Sequence, residues 1–409
     1  MSNVFKQCQE LTTITIPKSA TFIGNFAFYG CKNLKKVTMH SEVTDIGCNA
    51  FAECSSISEI IIPESVQYIQ SKAFHNCSSL RQLTILSPTV NVSIGAFHGC
   101  DDITLTKYVP DYLFQGSSIN KVAFTPSVTS IGNSSFSNCH LLTQVFFPSS
   151  IKTIGKHSFH ECISLIDVNF TSSKADIGDY AFSKCSSLKE LYIPSTIKSI
   201  GFCAFEECSE LEKVSIHSQL TKIDGYMFHK CQSLKQVDLP PSVVEFGSGV
   251  FKRCSSLKKI KIPPLANFFG LSVFEECTSL EEIAIPQKKT IIELYTFKGC
   301  TSLKKVLLPQ SINIIGVSAF EGCTSLEKIV VPSSVTEIRK KAFAACSSLN
   351  TITFKSKIEI LGENILQGCA SLNTIFVPPG FDVQKIGTDL NIKFKTINPS
   401  SLKKEKNPK

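Results

Sequence analysis

Apolar and polar positions alternate in short segments that recur along the whole chain. One such segment reads Leu-x-x-Ile-x-Ile-Pro, as in Leu303, Val306, Leu308 and Pro309. Its last apolar residues alternate at period two, which is typical of a strand with one buried face. Proline cannot donate a ladder hydrogen bond, so the predicted strand ends there. The same pattern predicts a strand within residues 257–263.

Two further segments accompany each predicted strand. A shorter extended stretch follows the proline, for example over residues 334–338, and an Ala-Phe-x-x-Cys segment comes next. We expect the Ala-Phe-x-x-Cys segment to form one helical turn. Glycine stands seven residues before the cysteine in most copies, as at Gly316, which indicates a turn position that needs positive φ or a close backbone approach.

The spacing of cysteine fixes the length of the repeating unit. Sixteen of the 18 cysteines follow one 23-residue register, interrupted once, and a phenylalanine stands three residues before nearly all of them. Only Cys48 and Cys203 fall outside the register. Such a fixed period indicates one structural coil per unit. The in-register cysteines are Cys8, Cys31, Cys54, Cys77, Cys100, Cys139, Cys162, Cys185, Cys208, Cys231, Cys254, Cys277, Cys300, Cys323, Cys346 and Cys369.

A single 23-residue coil has too few apolar side chains to form a core of its own. Its Leu, Ile, Phe and Cys side chains become buried only when neighbouring coils cover them, so stacking is obligatory. We therefore predict a repeat solenoid that is mostly β: a curved array of about 17 coils with a parallel sheet and short helical turns. Residues 1–387 form this solenoid.

One irregularity interrupts the register. Cys100 and Cys139 are 39 residues apart, where two full units would need 46, so we predict a shortened coil near residues 101–126. In that coil Phe114 takes the ring position and Ser117 the cysteine position. We expect a local bend there. Beyond the solenoid, residues 388–397 are a possible C-terminal cap and residues 398–409 a disordered basic tail.

Composition narrows the class of protein. Apolar residues make up 43% of the chain and charged residues 19%, with a net charge of +8, which predicts a folded chain and does not favour nucleic-acid binding. No apolar run reaches the roughly 18 residues of a membrane span, so we expect no membrane insertion. The first residues lack the features of a secretory signal, which makes the cytoplasm the default location. Export to the cell surface by a non-classical route is the alternative.

The consensus of the units is Ile-Gly-x-x-Ala-Phe-x-x-Cys-x-Ser-Leu-x-x-Ile-x-Ile-Pro-x-Ser-Val, and residues 314–332 match it almost position for position. This pattern closely resembles the BspA-like leucine-rich repeats, over essentially residues 3–387. The resemblance implies a curved solenoid used for protein recognition, with some members acting as bacterial and protist surface adhesins. It implies no catalytic residue.

Cysteine and histidine are the residues that could suggest other chemistry. Close cysteine pairs of the kind that bind zinc are absent from the sequence, and buried reduced thiols are the ordinary role of periodic cysteine. We expect Cys48 and Cys203 to be the more reactive thiols. Histidine precedes an in-register cysteine by two residues in four units, and solvent-facing imidazoles are favoured over a shared metal site. We therefore predict no catalytic, cofactor or metal residues. The four histidines are His75, His98, His160 and His229.

The strand pattern leaves one position pointing away from the core. It lies between the last two inward side chains of each strand, because successive side chains alternate faces. Bulky residues there could anchor a protein partner, or could reflect no more than the β-propensity of such residues. We keep both interpretations. The candidate partner-binding residues at this position and its flank are Ile61, Phe146, Tyr192, Lys259, Lys261, Leu307, Val330 and Phe376.

Three functions are compatible with this sequence. The first is a non-enzymatic scaffold that binds a protein on the sheet face, without cofactor. The second is a surface adhesin of the BspA-like type that binds extracellular matrix protein or glycan. The third is a structural member of a repeat expansion with no specific partner. The partner's identity and the oligomeric state do not follow from the sequence.

Overall fold

The computed structural model describes residues 2–170, 174–386 and 392–397. The chain divides into two units, Met1–Leu211 and Glu212–Lys409. It forms a parallel β-solenoid of about 16 turns with a 23-residue period, as the repeat predicts. Most turns contribute one strand of three or four residues to a first row and one strand of two residues to a second row.

In the first unit, the first row follows each in-register cysteine and the second row follows the proline turn. Its strands are β1 (Thr13–Thr15), β2 (Phe22–Ile23), β3 (Lys36–Thr38), β4 (Asp45–Ile46), β5 (Glu59–Ile62), β6 (Tyr68–Ile69), β7 (Gln82–Ile85), β8 (Asn91–Val92), β9 (Asp102–Leu105), β10 (Lys121–Phe124), β11 (Ser130–Ile131), β12 (Gln144–Phe146), β13 (Thr153–Ile154), β14 (Asp167–Asn169), β15 (Asp176–Ile177), β16 (Glu190–Ile193) and β17 (Ser199–Ile200).

The second unit repeats this arrangement and ends on one additional strand. Its elements are β18 (Lys213–Ile216), β19 (Lys222–Ile223), β20 (Gln236–Asp238), β21 (Glu245–Phe246), β22 (Phe268–Phe269), β23 (Glu282–Ala284), β24 (Ile291–Ile292), β25 (Lys305–Leu307), β26 (Ile314–Ile315), β27 (Lys328–Val331), β28 (Glu337–Ile338), β29 (Thr351–Phe354), β30 (Ile360–Leu361), β31 (Thr374–Val377), a 3-10 helix (Val383–Ile386) and β32 (Lys393–Thr396).

Strands of successive coils pair in parallel, and equivalent residues face each other. In the second unit Ile329 of β27 pairs with Ile352 of β29, and Ile352 pairs with Ile375 of β31. This register places each inward residue above another inward residue. A slip by one position would turn the apolar side chains to the outer face. Each first-row strand alternates exposed and buried side chains accordingly, as in β27.

The segment predicted as a helical turn has a different backbone. Ser318 and Gly322 have φ angles of 52° and 75°, in the left-handed region, which ends any right-handed helix. The amide nitrogens of Phe320 and Gly322 therefore donate to carbonyl oxygens of Ala342 and Ala344 in the next coil, both at 2.8 Å. The prediction of a helical turn is wrong, because hydrogen bonds to the next coil alternate with isolated i→i−3 turns within the segment, such as that from the Cys323 amide to the Phe320 carbonyl at 3.1 Å.

The recurring glycine before the Ala-Phe segment serves a close approach. A Cβ built on Gly316 would lie 2.7 Å from the carbonyl oxygen of Ile292 in the preceding coil. The φ angle of Gly316 is not in the left-handed region. The sequence suggested that this glycine serves either positive φ or a close backbone approach. The structure shows the close approach of neighbouring backbones.

Phenylalanine rings and thiols fill the centre of each coil. In the second unit Phe297 stacks on Phe320 and Phe320 on Phe343, with ring centroids 5.3 Å apart in both pairs. Cys323 and Leu326 beside them are fully buried. Because each ring contacts rings above and below, the core continues from coil to coil within the unit.

The predicted shortened coil is present in the first unit. Ser117 is buried in the cysteine position, and the ring of Phe114 stacks on that of Phe136 at 5.5 Å. On its other side Phe114 is tilted by 52° against Phe97. First-row pairing passes through this coil, because β9 pairs with β10 over four residues. The second row is interrupted: β8 ends one sheet, and β11 begins the next.

Two regions of the second unit depart from the expected pattern. The strand predicted within residues 257–263 is not formed, although Ile260 and Ile262 are still buried and Lys261 is exposed. Side-chain alternation survives there although no strand is formed, and the Lys258 carbonyl still accepts a hydrogen bond from the Glu281 amide of the next coil at 3.0 Å. At the other end β32 pairs in parallel with β31, within the segment predicted as a cap. Residues 388–391 of that segment and the predicted tail, residues 398–409, lie outside the described residues.

Candidate functional site

The residues seven positions after each in-register cysteine form a row on the outer surface of the first-row strands, which we call the outward strip. The strip alternates with the buried positions of the same strands, as in β16 and β27. The expected outward orientation is confirmed for five bulky candidates. Their exposed fractions are 55% for Ile61, 52% for Phe146, 55% for Tyr192, 53% for Leu307 and 43% for Val330.

Phe376 is the exception among the apolar candidates. It is only half-exposed, because β32 pairs beside β31 and places Lys395 opposite Phe376. The ammonium nitrogen of Lys395 lies 5.9 Å from the centre of the Phe376 ring. The expectation that Phe376 lies on an open surface is therefore wrong, since a strand outside the 23-residue pattern covers it.

Lys259 and Lys261 are both exposed, in the coil that lacks a ladder strand. The Lys259 ammonium lies 2.9 Å from a carboxylate oxygen of Glu282 in the next coil. This ion pair lowers the pKa of the Glu282 carboxyl, through the hydrogen bond from Lys259 and its positive charge. Lys261 is thus part of the strip of the second unit, where Leu307 and Val330 also lie, and Lys259 flanks it two residues earlier on the same face.

Sequence reasoning missed exposed apolar residues away from the strip. In the second unit Phe268 of β22 is 54% exposed, and Val244, Leu265 and Leu271 near it are exposed as well. In the first unit Ile166 is half-exposed beside β14. The signal that could have found them is an apolar residue at a position where most units have a polar one.

A buried ion pair occupies the core of one coil in the second unit. Lys289 is 2% exposed at the position that Val335 fills two coils later, and its ammonium lies 2.6 Å from Oε1 of Glu293. The ammonium also lies 4.9 Å from the ring centre of Phe269. Among the described residues, Oε2 of Glu293 has no hydrogen-bond partner.

Burial dominates the ionisation of this pair. It raises the pKa of the Glu293 carboxyl and lowers the pKa of the Lys289 ammonium, although the mutual attraction acts in the opposite direction on both groups. Glu293 stands where Gly316 stands in the next coil. A lysine and a glutamate have thus replaced an apolar residue and a glycine together.

The thiols are enclosed and weakly acidic. Burial raises the pKa of the Cys54 and Cys277 thiols to about 12. The expectation that Cys203 is a reactive thiol is wrong: it is buried, and burial with the nearby Glu206 raises the pKa of its thiol to about 12. Cys48 is half-buried, and its thiol donates to Oε1 of Gln70 at 3.2 Å.

The four histidines do not assemble a metal centre. The rings of His75 and His98 stack at 5.5 Å, but no group of three metal-ligating side chains exists among residues 2–170, 174–386 and 392–397. His98 is exposed as expected, whereas His75, His160 and His229 are half-buried. Burial lowers the pKa of the His75 and His160 imidazoles.

The described part of the chain also contains no helix long and apolar enough to cross a membrane.

Stacked coils with parallel strands and a repeated Leu-x-x-Ile-x-Ile core define a leucine-rich repeat protein. The family model for the BspA-type leucine-rich repeat region matches residues 1–108, 107–201, 175–304 and 267–398. The chain therefore belongs to the BspA-type leucine-rich repeat family, as the consensus suggested. No curated protein sequence matches the chain significantly.

Several solved structures are similar to this chain. A leucine-rich repeat protein from Bacteroides ovatus is 26% identical, with 97% of this chain and 87% of that one covered and a TM-score of 0.45. A leucine rich cell surface protein from Faecalibacterium prausnitzii is 21% identical, with 93% and 91% covered and a TM-score of 0.38. A leucine-rich repeat protein from T. pallidum is 27% identical, with 45% and 77% covered and a TM-score of 0.36.

Proposed function

We propose that this chain is a non-enzymatic scaffold that binds a protein partner on the outward strip. The observation that carries the proposal is the exposure of bulky side chains on regular strands: Tyr192 in the first unit and Leu307 and Val330 in the second. A folded chain gains nothing in stability from such exposure. The same side chains on a partner-facing surface would become buried on binding, which favours association.

Two physical features of the strip support this use. Val330 stands between the buried Ile329 and Val331, and Tyr192 between the buried Leu191 and Ile193, so the positions of both are fixed before a partner arrives. Preorganised anchors lose little conformational entropy on binding. Leucine-rich repeat proteins generally bind protein partners, which favours recognition over catalysis as the role of this surface.

Site-specific photocrosslinking tests the proposal. A photoreactive phenylalanine analogue is placed at position 307 on the strip and, as a matched control, at position 268, which is equally exposed on the second row of the same unit. In extract from the native cell, we expect a saturable crosslinked product from position 307 that excess unlabelled protein removes. No such product is expected from position 268. Equal crosslinking at both positions, or at neither, would contradict the proposal.

A further inference from the structure

The outward strip of the second unit carries lysines around its apolar centre. Lys258, Lys259 and Lys261 are exposed in one coil, and Lys305 and Lys328 are exposed two residues before Leu307 and Val330. Side chains two apart on a strand share a face, so each of these two aliphatic residues has a lysine beside it on the same surface. Lys304 adds a further exposed ammonium next to Lys305.

Acidic residues balance this charge only in part. In the four strand segments 258–261, 281–284, 304–307 and 327–330, Glu281, Glu282 and Glu327 stand against six lysines. Glu282 already pairs with Lys259 at 2.9 Å. In the first unit the position equivalent to Lys305 is acidic at Glu59, Asp167 and Glu190, and lysine stands there at Lys36. Lysines are thus more concentrated on these four coils of the second unit.

We propose that the strip from Lys258 to Val330 binds an acidic polypeptide segment whose apolar side chains contact Leu307 and Val330 while its carboxylates face the surrounding lysines. This inference rests on the proposed function and adds the chemistry of the partner. Four coils spaced about 4.8 Å apart span about 14 Å, which an extended segment of about five residues crosses. Carboxylates along such a segment would reach several lysines at once.

A nucleic acid fits this strip less well than an acidic polypeptide. The four outward residues here are Lys261, Ala284, Leu307 and Val330, none of which is an aromatic ring on which a base could stack. Glu282 and Glu327 are exposed among the lysines and would repel a phosphate backbone. Exposed aliphatic side chains are suited to apolar side chains of a polypeptide.

Peptide titrations with the full chain test this inference. The probe is a fluorescent 12-residue peptide of alternating Leu and Glu, compared with the same peptide carrying Gln or Lys in place of Glu, and with a 12-nucleotide poly(U). We expect the Glu peptide to bind about tenfold more tightly than the Gln peptide, with an affinity that falls as salt rises. The Lys peptide and poly(U) should bind more weakly than the Glu peptide.

Charge reversal locates the effect. A Lys305→Glu, Lys328→Glu variant should bind the Glu peptide about tenfold more weakly, since two favourable charge contacts become repulsive. The control is Lys288→Glu, Lys357→Glu, which makes the same change of net charge at two exposed lysines in the turns after the first row. We expect the control variant to bind as the parent does.

The outcomes separate this inference from the proposed function. If the Gln peptide binds as tightly as the Glu peptide, and Leu307→Ala with Val330→Ala weakens both, the strip binds polypeptides and the acidic preference is wrong. Tighter binding of poly(U) than of the Glu peptide overturns the inference in favour of nucleic acid. It is also overturned if the Glu peptide fails to bind, or if sedimentation shows self-association that the Lys305→Glu, Lys328→Glu variant loses, because a second copy would then occupy the strip.

Discussion

The thiol of Cys323 donates a hydrogen bond to the carbonyl oxygen of Phe297 in the preceding coil, with 3.2 Å between the sulfur and the oxygen. The same contact joins Cys54 to Phe28 at 3.0 Å in the first unit. Cysteine suits this position because it is a small, weakly polar side chain that packs like an apolar residue and donates a second hydrogen bond to a carbonyl that already accepts from a backbone amide. The thiols are structural parts of the coil junctions.

This role predicts that thiol reagents label few sites in the folded protein. Under native conditions a maleimide should modify Cys8 and Cys48, the two half-buried thiols, and leave the other cysteines unmodified. The buried thiols lack access to the reagent, and burial raises the pKa of thiols such as Cys277, so little thiolate forms there. Mass spectrometry counts the labels, and unfolding in denaturant provides the control with all 18 cysteines modified. Rapid native labelling of most of them would contradict the burial of the thiol row.

The buried ion pair predicts a stabilising double substitution. Replacing Lys289 by Val and Glu293 by Gly introduces the residues that other coils carry at these positions, as at Val335 and Gly316. We expect the free energy of unfolding to rise by about 1 to 2 kcal/mol, since a buried pair seldom recovers its desolvation energy. Lys289→Val alone should lower it, by up to about 3 kcal/mol, because the Glu293 carboxylate then loses its partner. Chemical denaturation gives the free energy of unfolding of the parent and both variants. A double variant that is less stable than the parent would refute this account.

The same pair predicts how this difference depends on pH. The raised pKa of Glu293 favours folding below the ordinary glutamate pKa, and this contribution is lost as pH rises through the raised value. The lowered pKa of Lys289 favours folding above the ordinary lysine pKa and is lost as pH falls through the lowered value. The advantage of the double variant should therefore be largest near neutral pH and shrink towards acid. An advantage that grows on acidification would show that the charged pair stabilises the fold.

The shortened coil predicts a local weakness in the second row of the first unit. Between β8 and β11 a single bridge, Val109 to Ile131, replaces the two-residue pairing of the other coils. A defective interface between repeats opens before its neighbours. Amide hydrogen exchange should be faster over residues 106–118 than over β10, and faster than over residues 45–69, which serve as the control. Uniform protection from residue 80 to residue 150 would show that the coil is as stable as its neighbours.

Much of the fold follows from the sequence because buried and exposed positions follow the repeating pattern of apolar and polar residues. The 23-residue period, the inward cysteine and the outward Leu307 could all be predicted, because each depends only on the spacing of side chains along the sequence. The absence of a strand at residues 257–263 could not be predicted, because Ile260 and Ile262 keep the alternating pattern although no strand is formed. Backbone pairing depends on the neighbouring coils as well as on the segment's own residues.

The candidate site was only partly predictable for a related reason. Exposure of Tyr192 and Val330 follows from alternation along one strand. The covering of Phe376 by Lys395 requires β32, which lies outside the 23-residue register and left no periodic signal. Lys289 stands at an inward position of the repeat, but lysine is ordinarily exposed, so the residue type gave no sign of its burial.

Substitutions on the outward face of β25 and β27 should affect stability much less than a substitution on the inward face. Leu307→Ala with Val330→Ala should leave the thermal midpoint close to that of the parent, because both side chains are exposed. Ile329→Ala, the control on the same strand, removes a buried side chain and should lower stability by about 2 to 5 kcal/mol. Thermal unfolding followed by circular dichroism distinguishes the two. A large loss in the outward variant would place these residues in the core.

The most direct test of the outward strip as a recognition surface is the dissociation constant of the partner recovered by crosslinking at position 307. It is measured for the parent, for the Leu307→Ala, Val330→Ala variant, and for Phe268→Ala as an equally exposed control. Truncating an interface anchor weakens binding by about 2 kcal/mol, so we expect roughly a 30-fold loss for the strip variant with its thermal midpoint retained. The Phe268→Ala control should bind as the parent does. An unchanged dissociation constant in the folded strip variant would contradict the claim that this partner is bound by the strip.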